Sequence, residues 1–179
     1  MRKTLFRWEL AGFLFVGAAG TLLHFVYDRS GRALFAAAFS AVNESTWEHM
    51  KLLFVPFFFF TMVQFLVLAD PLRDLLAAKA AGLCVGLVAI PAVFYTLTGA
   101  FGETPDWLNI AIFFLADALT FLTSHALLRR GSLRGGAWQL AGFVLIWLLA
   151  FAFVFFTFRA PHLPLWRDPA SGLYGLAAA

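Results

Sequence analysis

Five stretches of this chain stay apolar for about as long as a helix needs to cross a hydrocarbon layer, roughly 20 residues, and that feature restricts the fold more than any other. They cover 5–27, 46–68, 75–98, 107–128 and 137–158. Backbone inside lipid must satisfy its own N–H and C=O groups, so each stretch is expected to be an α-helix. The expected class is therefore all-α: a polytopic membrane helix bundle of about five transmembrane helices, forming one membrane domain over 1–179. Between the first two spans only Ala33 to Val42 is apolar, too short to cross, so a short interfacial or re-entrant segment is expected there. The first apolar stretch follows Met1-Arg2-Lys3 like a signal peptide but continues to Tyr27 without a convincing cleavage site, and reads as a retained helix. Gly12, Gly17 and Gly20, and the Gly82/Gly86 pair, offer small surfaces for close helix approach. Pro56 and Pro91 are expected to loosen or bend their helices, and Asp70-Pro71 to end the second span.

Charge is sparse and sits mostly between the spans. The net charge of +3 comes from residues in short loops with no contiguous basic face, which argues against nucleic acid and for a lipid bilayer as the partner. Cytoplasmic loops carry the excess of Lys and Arg. With the N-terminus inside, eight basic residues (Arg2, Lys3, Arg7, Arg73, Lys79, Arg129, Arg130, Arg134) face the cytoplasm against five outside (Arg29, Arg32, Lys51, Arg159, Arg167). The loop from Gly99 to Asp106 adds Glu103 and Asp106 and no base. The expected location is a cell membrane, of the bacterial inner-membrane kind, with the N-terminus cytoplasmic and the C-terminus outside. The single cysteine, Cys84, rules out an intrachain disulfide and reads as a small core residue.

That orientation puts three polar regions on one face. The block Asn43-Glu44-Ser45-Thr46-Trp47-Glu48-His49-Met50-Lys51 places two carboxylates and a histidine in the first turns of an otherwise apolar helix. Glu44 and Glu48 are four residues apart, as are Ser45 and His49, so each pair shares a helix edge. Glu48 and His49 with His24 and His162 supply the oxygen and imidazole donors that zinc or another divalent metal accepts, leaving Glu44, Ser45 or Asp168 for catalytic work on a bound water. There is no HExxH and no paired-His spacing, so each ligand has to come from a different segment. A plainer account covers part of the block: Ser45-Thr46-Trp47-Glu48 fits a capping box with Trp47 as an interfacial anchor. Asn43-Glu44-Ser45 also matches a glycosylation sequon.

Asp117 falls about 15 Å into the fourth span, where a carboxylate is expensive, and forms a polar stripe with Thr120 and Ser124. The plain account is a protonated side chain bonded to Thr120 or a neighbouring helix. His125 reads as structural, and Phe57 to Phe60 as packing and lipid contact. The tail over 159–179 carries Pro161, Pro164 and Pro169, which favour an extended path over the outer face, as a lid or as an interfacial tail held by Trp166 and Tyr174.

The Asn43–Lys51 block together with Pro161-His162-Leu163-Pro164-Leu165-Trp166-Arg167-Asp168-Pro169 resembles a family of small bacterial integral membrane proteins of unknown function. That resemblance implies a location and no activity. The Ser45/His49 spacing is also similar to the Ser-x-x-x-His pair of the alkaline ceramidase and adiponectin-receptor hydrolases, whose zinc sites add an Asp and a terminal His-x-x-x-His. This chain has fewer spans and only His162 near its C-terminus.

Three functions follow as expectations. The first is a membrane-embedded metal-dependent hydrolase acting on a lipid-like or small-molecule substrate at the outer face. The second is a small transporter or ion-binding protein, a homo-oligomer, in which Asp117 carries the proton or cation. The third is a structural or assembly partner with no chemistry.

Overall fold

The computed structural model describes residues 2–68, 73–102 and 105–178. Among them are seven α-helices and no strand: α1 (Arg2–Leu23), α2 (Val26–Arg29), α3 (Leu34–Phe39), α4 (Thr46–Leu68), α5 (Leu75–Phe101), α6 (Asp106–Arg130) and α7 (Gly136–Phe158). Five of these, α1, α4, α5, α6 and α7, are long and apolar enough to cross a membrane. The Asp70-Pro71 pair and Glu103 lie outside the described residues.

The first span is shorter than expected. It ends at Leu23, and the chain turns at His24 and Phe25 before the four-residue α2. The segment up to Val42 holds only the six-residue α3, whose Ala36 and Ala37 are buried against Tyr27 and Val42. The third span extends past Thr98 to Phe101. Both α4 and α5 run without a break through Pro56 and Pro91.

The helix that carries the polar block is the hub of the bundle: α4 touches α1, α5, α6 and α7. The core joins Val16 of α1, Leu53, Phe54 and Phe57 of α4, Leu83 and Leu87 of α5, Phe121 of α6 and Phe153 of α7. The most extensive helix contact is α5 on α6. A Cβ on Gly86 would meet the Ala116 carbonyl at 2.8 Å, so backbones approach there at a distance that only glycine allows. Large apolar side chains also face outward, as lipid-facing helices require; Leu66, Leu148 and Phe151 are examples.

The tail departs from the extended path expected of it. It folds into two 3-10 turns, Pro164–Trp166 and Gly175–Ala178, joined by an antiparallel bridge between Arg167 and Tyr174. Trp166 packs 4.9 Å from Trp47, whose ring also lies 4.5 Å from that of Phe153. Trp47 is 8% exposed, so it is part of an aromatic ladder and not an interfacial anchor. Lys51 and Lys79, counted above as loop residues, are fully buried within α4 and α5. They report on packing rather than orientation, and the eight-to-five count loses one from each side.

Candidate functional site

The turn before α4 positions the site. The Asn43 side-chain carbonyl accepts the Ser45 N–H (2.9 Å) and its amide donates to the Gly175 carbonyl (2.9 Å), while the Ser45 hydroxyl accepts the Glu48 N–H (3.4 Å). The capping box is therefore half formed: Ser45 caps the helix, and Asn43 takes the part expected of Glu48. Held this way, Glu44 projects between two histidines. Its Oε1 lies 3.7 Å from His24 Nε2 and its Oε2 lies 3.5 Å from His49 Nε2. The imidazole rings are 5.5 Å apart. One donor atom from each of the three residues lies within 4.8 Å of the other two.

The ring orientation of His49 follows from its backbone contact. Its Nδ1 is 3.0 Å from the Ser45 carbonyl, which can only accept, so Nδ1 carries a proton and Nε2 is the nitrogen turned toward Glu44. Fixing a tautomer through a backbone carbonyl is a common way of preparing a metal-ligating histidine. All three side chains are partly open, with 33%, 53% and 29% exposure for His24, Glu44 and His49. Two imidazoles and a carboxylate are the donor set of one class of three-ligand zinc sites. Donors around a tetrahedral zinc lie about 3.4 Å apart, close to the two histidine–glutamate distances.

Glu44 and His49 border a cavity of about 540 Å³ between α4, α5 and α6. Its wall is apolar, with Ile90, Phe94 and Phe113, and its polar margin includes Thr98, Asp106 and Asn109. Pro169 and Ala170 of the tail form part of its rim.

The remaining expected site residues lie elsewhere. Glu48 is 1% exposed and faces away from the cluster. It pairs with Lys51 at 2.6 Å, accepts the Thr157 hydroxyl at 2.8 Å and accepts the Val42 N–H at 3.2 Å. Lys51 also donates to the Ala37 carbonyl and to Thr157. This network fastens the short α3 segment to α4 and α7. His162 stacks on Tyr174, with centroids 4.6 Å apart, and is not among the converging donors.

Asp168 supports the cluster from behind. One carboxylate oxygen accepts the Glu44 N–H at 3.2 Å, and the other accepts the N–H and hydroxyl of Ser171. Burial pushes this carboxyl upward, but the Ser171 hydroxyl and the N–H groups of Ser171, Glu44 and Ala170 together hold it below the usual carboxylate range. A depressed pKa contributes stability that is present above the unfolded value near 4 and is lost as pH falls through the folded value. Acid should therefore undock the tail, and Asp168→Asn should undock it at neutral pH. Trp166 fluorescence checks both: the parent signal changes only below about pH 4, and the variant shows the acid signal throughout.

Asp117 is fully buried, and neither of its oxygens has a hydrogen-bond partner among the described residues. Thr120 does not bond it, donating instead to the Ala116 carbonyl at 2.9 Å. Ser124 turns toward a group that sequence reasoning missed. Glu9 of α1 pairs with Lys79 of α5 at 2.7 and 2.8 Å and accepts from Gln64 at 3.0 Å and from Ser124. Lys79 also lies 4.6 Å over the Phe121 ring. A carboxylate within α1 and an ammonium within α5 were the available signal, since opposite charges inside two spans are expected to pair.

The sequence matches a family of unknown function, DUF6512, over residues 1–176. No curated protein and no solved structure matches it. With nearly the whole chain covered, the protein belongs to the DUF6512 family.

Proposed function

We propose that this protein is a membrane-embedded, metal-dependent hydrolase in which His24, Glu44 and His49 hold zinc or a similar divalent cation beside the cavity. The observation that supports this is the convergence of two imidazoles and one carboxylate at the mouth of an otherwise apolar cavity. Three protein ligands leave a fourth position for water, and the bound cation would supply Lewis acidity there. Each part of the chain has a task in this reading. The Ser45 carbonyl holds His49 in the ligating tautomer, and Asp168 fixes the Glu44 backbone. Ile90, Phe94 and Phe113 receive the apolar portion of a lipid-like substrate. Asp106, on the margin of the same cavity, would take the proton that the attacking water gives up, a role closed to Asp168, whose two oxygens are engaged by Glu44 and Ser171. The site end faces outward and the N-terminus lies in the cytoplasm, since the basic residues outside the buried pairs still favour the opposite end, seven to four.

The test is hydrolysis of a medium-chain acyl ester and the matching acyl amide by the protein in mild detergent. The parent should turn over one of them, lose activity to a chelator and regain it with zinc. Asp106→Asn should lower kcat by about 10²- to 10⁴-fold while retaining metal. Turnover that survives both the chelator and Asp106→Asn would sink the reading.

A second reading rests on Asp117, whose buried and unpartnered carboxylate suits a proton- or cation-carrying group in a small oligomeric transporter. It predicts activity lost in Asp117→Asn and retained in His49→Ala, the reverse of the hydrolase.

A further inference from the structure

At the end of the bundle opposite the His24 cluster, the start of α1 and the end of α6 enclose a second hollow of about 460 Å³. Its lining is Lys3, Phe6, Arg7, His125 and Arg129, four basic side chains and one ring. Among the described residues, none of Lys3, Arg7 and Arg129 pairs with a carboxylate. Glu9, one turn deeper on α1, is committed to Lys79, Gln64 and Ser124. His125 stands edge-on to Phe6, with its Nδ1 buried and without a hydrogen-bond partner. Three uncompensated charges converging on one concavity repel one another unless an anion lies between them.

The surroundings indicate which anion. The hollow opens onto apolar surface that runs toward the bilayer centre: Phe6 is 56%, Leu10 45% and Leu122 66% exposed. Leu10 lies one helical turn below Phe6, and Leu122 one turn below His125, so basic and apolar groups are stacked along the same faces of α1 and α6. A free phosphate matches only the basic half. The α1 end contributes the positive end of its helix dipole. The α6 end would repel an anion through its free carbonyls, but the Leu127 carbonyl already accepts the Gly131 N–H at 2.9 Å, and Arg129 lines the hollow there.

We propose that this hollow binds the phosphate headgroup of an anionic glycerophospholipid, with Lys3, Arg7, His125 and Arg129 around the phosphate and the acyl chains along Phe6, Leu10 and Leu122. Basic pockets between membrane helices are suited to such headgroups, and each Lys or Arg near the surface adds to the attraction. The site is independent of the His24 cluster and rests only on the chain spanning a membrane.

Native mass spectrometry of the full chain, exchanged into detergent containing phosphatidylglycerol or phosphatidylcholine, tests this. The parent should retain phosphatidylglycerol at least about tenfold better than phosphatidylcholine, and Arg7→Gln/Arg129→Gln should lose that preference. Arg32→Gln/Arg159→Gln, at the other end, should keep it. Equal retention of the two lipids by the parent, or an unchanged preference in the Arg7/Arg129 variant, overturns the proposal. Should that variant not fold, the parent's ratio and a Lys3→Gln variant decide it in the same way. Thermal stability with millimolar inorganic phosphate separates the sources: no rise in Tm is expected, and a rise equal to that given by phosphatidylglycerol overturns the lipid as occupant.

Discussion

Replacing His49 with alanine is expected to weaken zinc binding by more than about 100-fold while leaving the protein folded. Loss of a group that merely orients a ligand costs about 10- to 100-fold in metal affinity, and His49 supplies a donor atom itself. The fold should tolerate the change, because the side chain is 29% exposed and, among the described residues, its hydrogen bond runs to the carbonyl of Ser45, the residue just before its own helix. Glu44→Gln should resemble it, since the amide keeps the shape but removes the charge between two imidazoles. His162→Ala should leave affinity unchanged, since that ring stacks on Tyr174. Competition with a zinc-binding dye, alongside thermal unfolding of each variant, separates lost binding from lost folding.

The largest effect on stability is expected at Glu48. Glu48→Ala removes the partner of a lysine that is fully buried and leaves that ammonium, among the described residues, with the Ala37 carbonyl and the Thr157 hydroxyl. Breaking a buried pair from one side costs about 3–5 kcal/mol, a large part of the 5–15 kcal/mol that holds a typical domain folded. The Val42 N–H loses its acceptor as well, which frees the α3 segment. Removing both charges in Glu48→Gln/Lys51→Met should recover most of the loss, because the penalty comes from the unpaired charge. Chemical unfolding in detergent reads the difference. A Glu48→Ala midpoint equal to the parent's would mean that the pair holds nothing together.

These expectations show which parts of the chain could be read in advance. Long apolar runs announced the five helices that are long and apolar enough to cross a membrane, because lipid permits little else at that length. The six-residue α3 was foreseeable as a segment too short to cross. The pairing of charges was not. Glu48 and His49 are neighbours in sequence, yet consecutive helical residues point about 100° apart, so one turned inward to Lys51 and the other toward Glu44. Glu44 became the shared partner of His24 and His49 because the turn before α4, tied down by Asn43 and Asp168, aims it there. Such long-range ties, from residue 43 to 175 and from 44 to 168, leave no periodic trace in sequence. The prolines of the tail correctly excluded a regular helix but gave no sign of its compact 3-10 turns.

Elemental analysis of the protein purified in mild detergent, beside Glu44→Gln/His49→Ala prepared identically, bears most directly on the central claim. Near-stoichiometric zinc or another divalent transition metal in the parent, absent from the variant, is the predicted result. Metal absent from both, or retained equally by both, would contradict a metal centre at His24, Glu44 and His49.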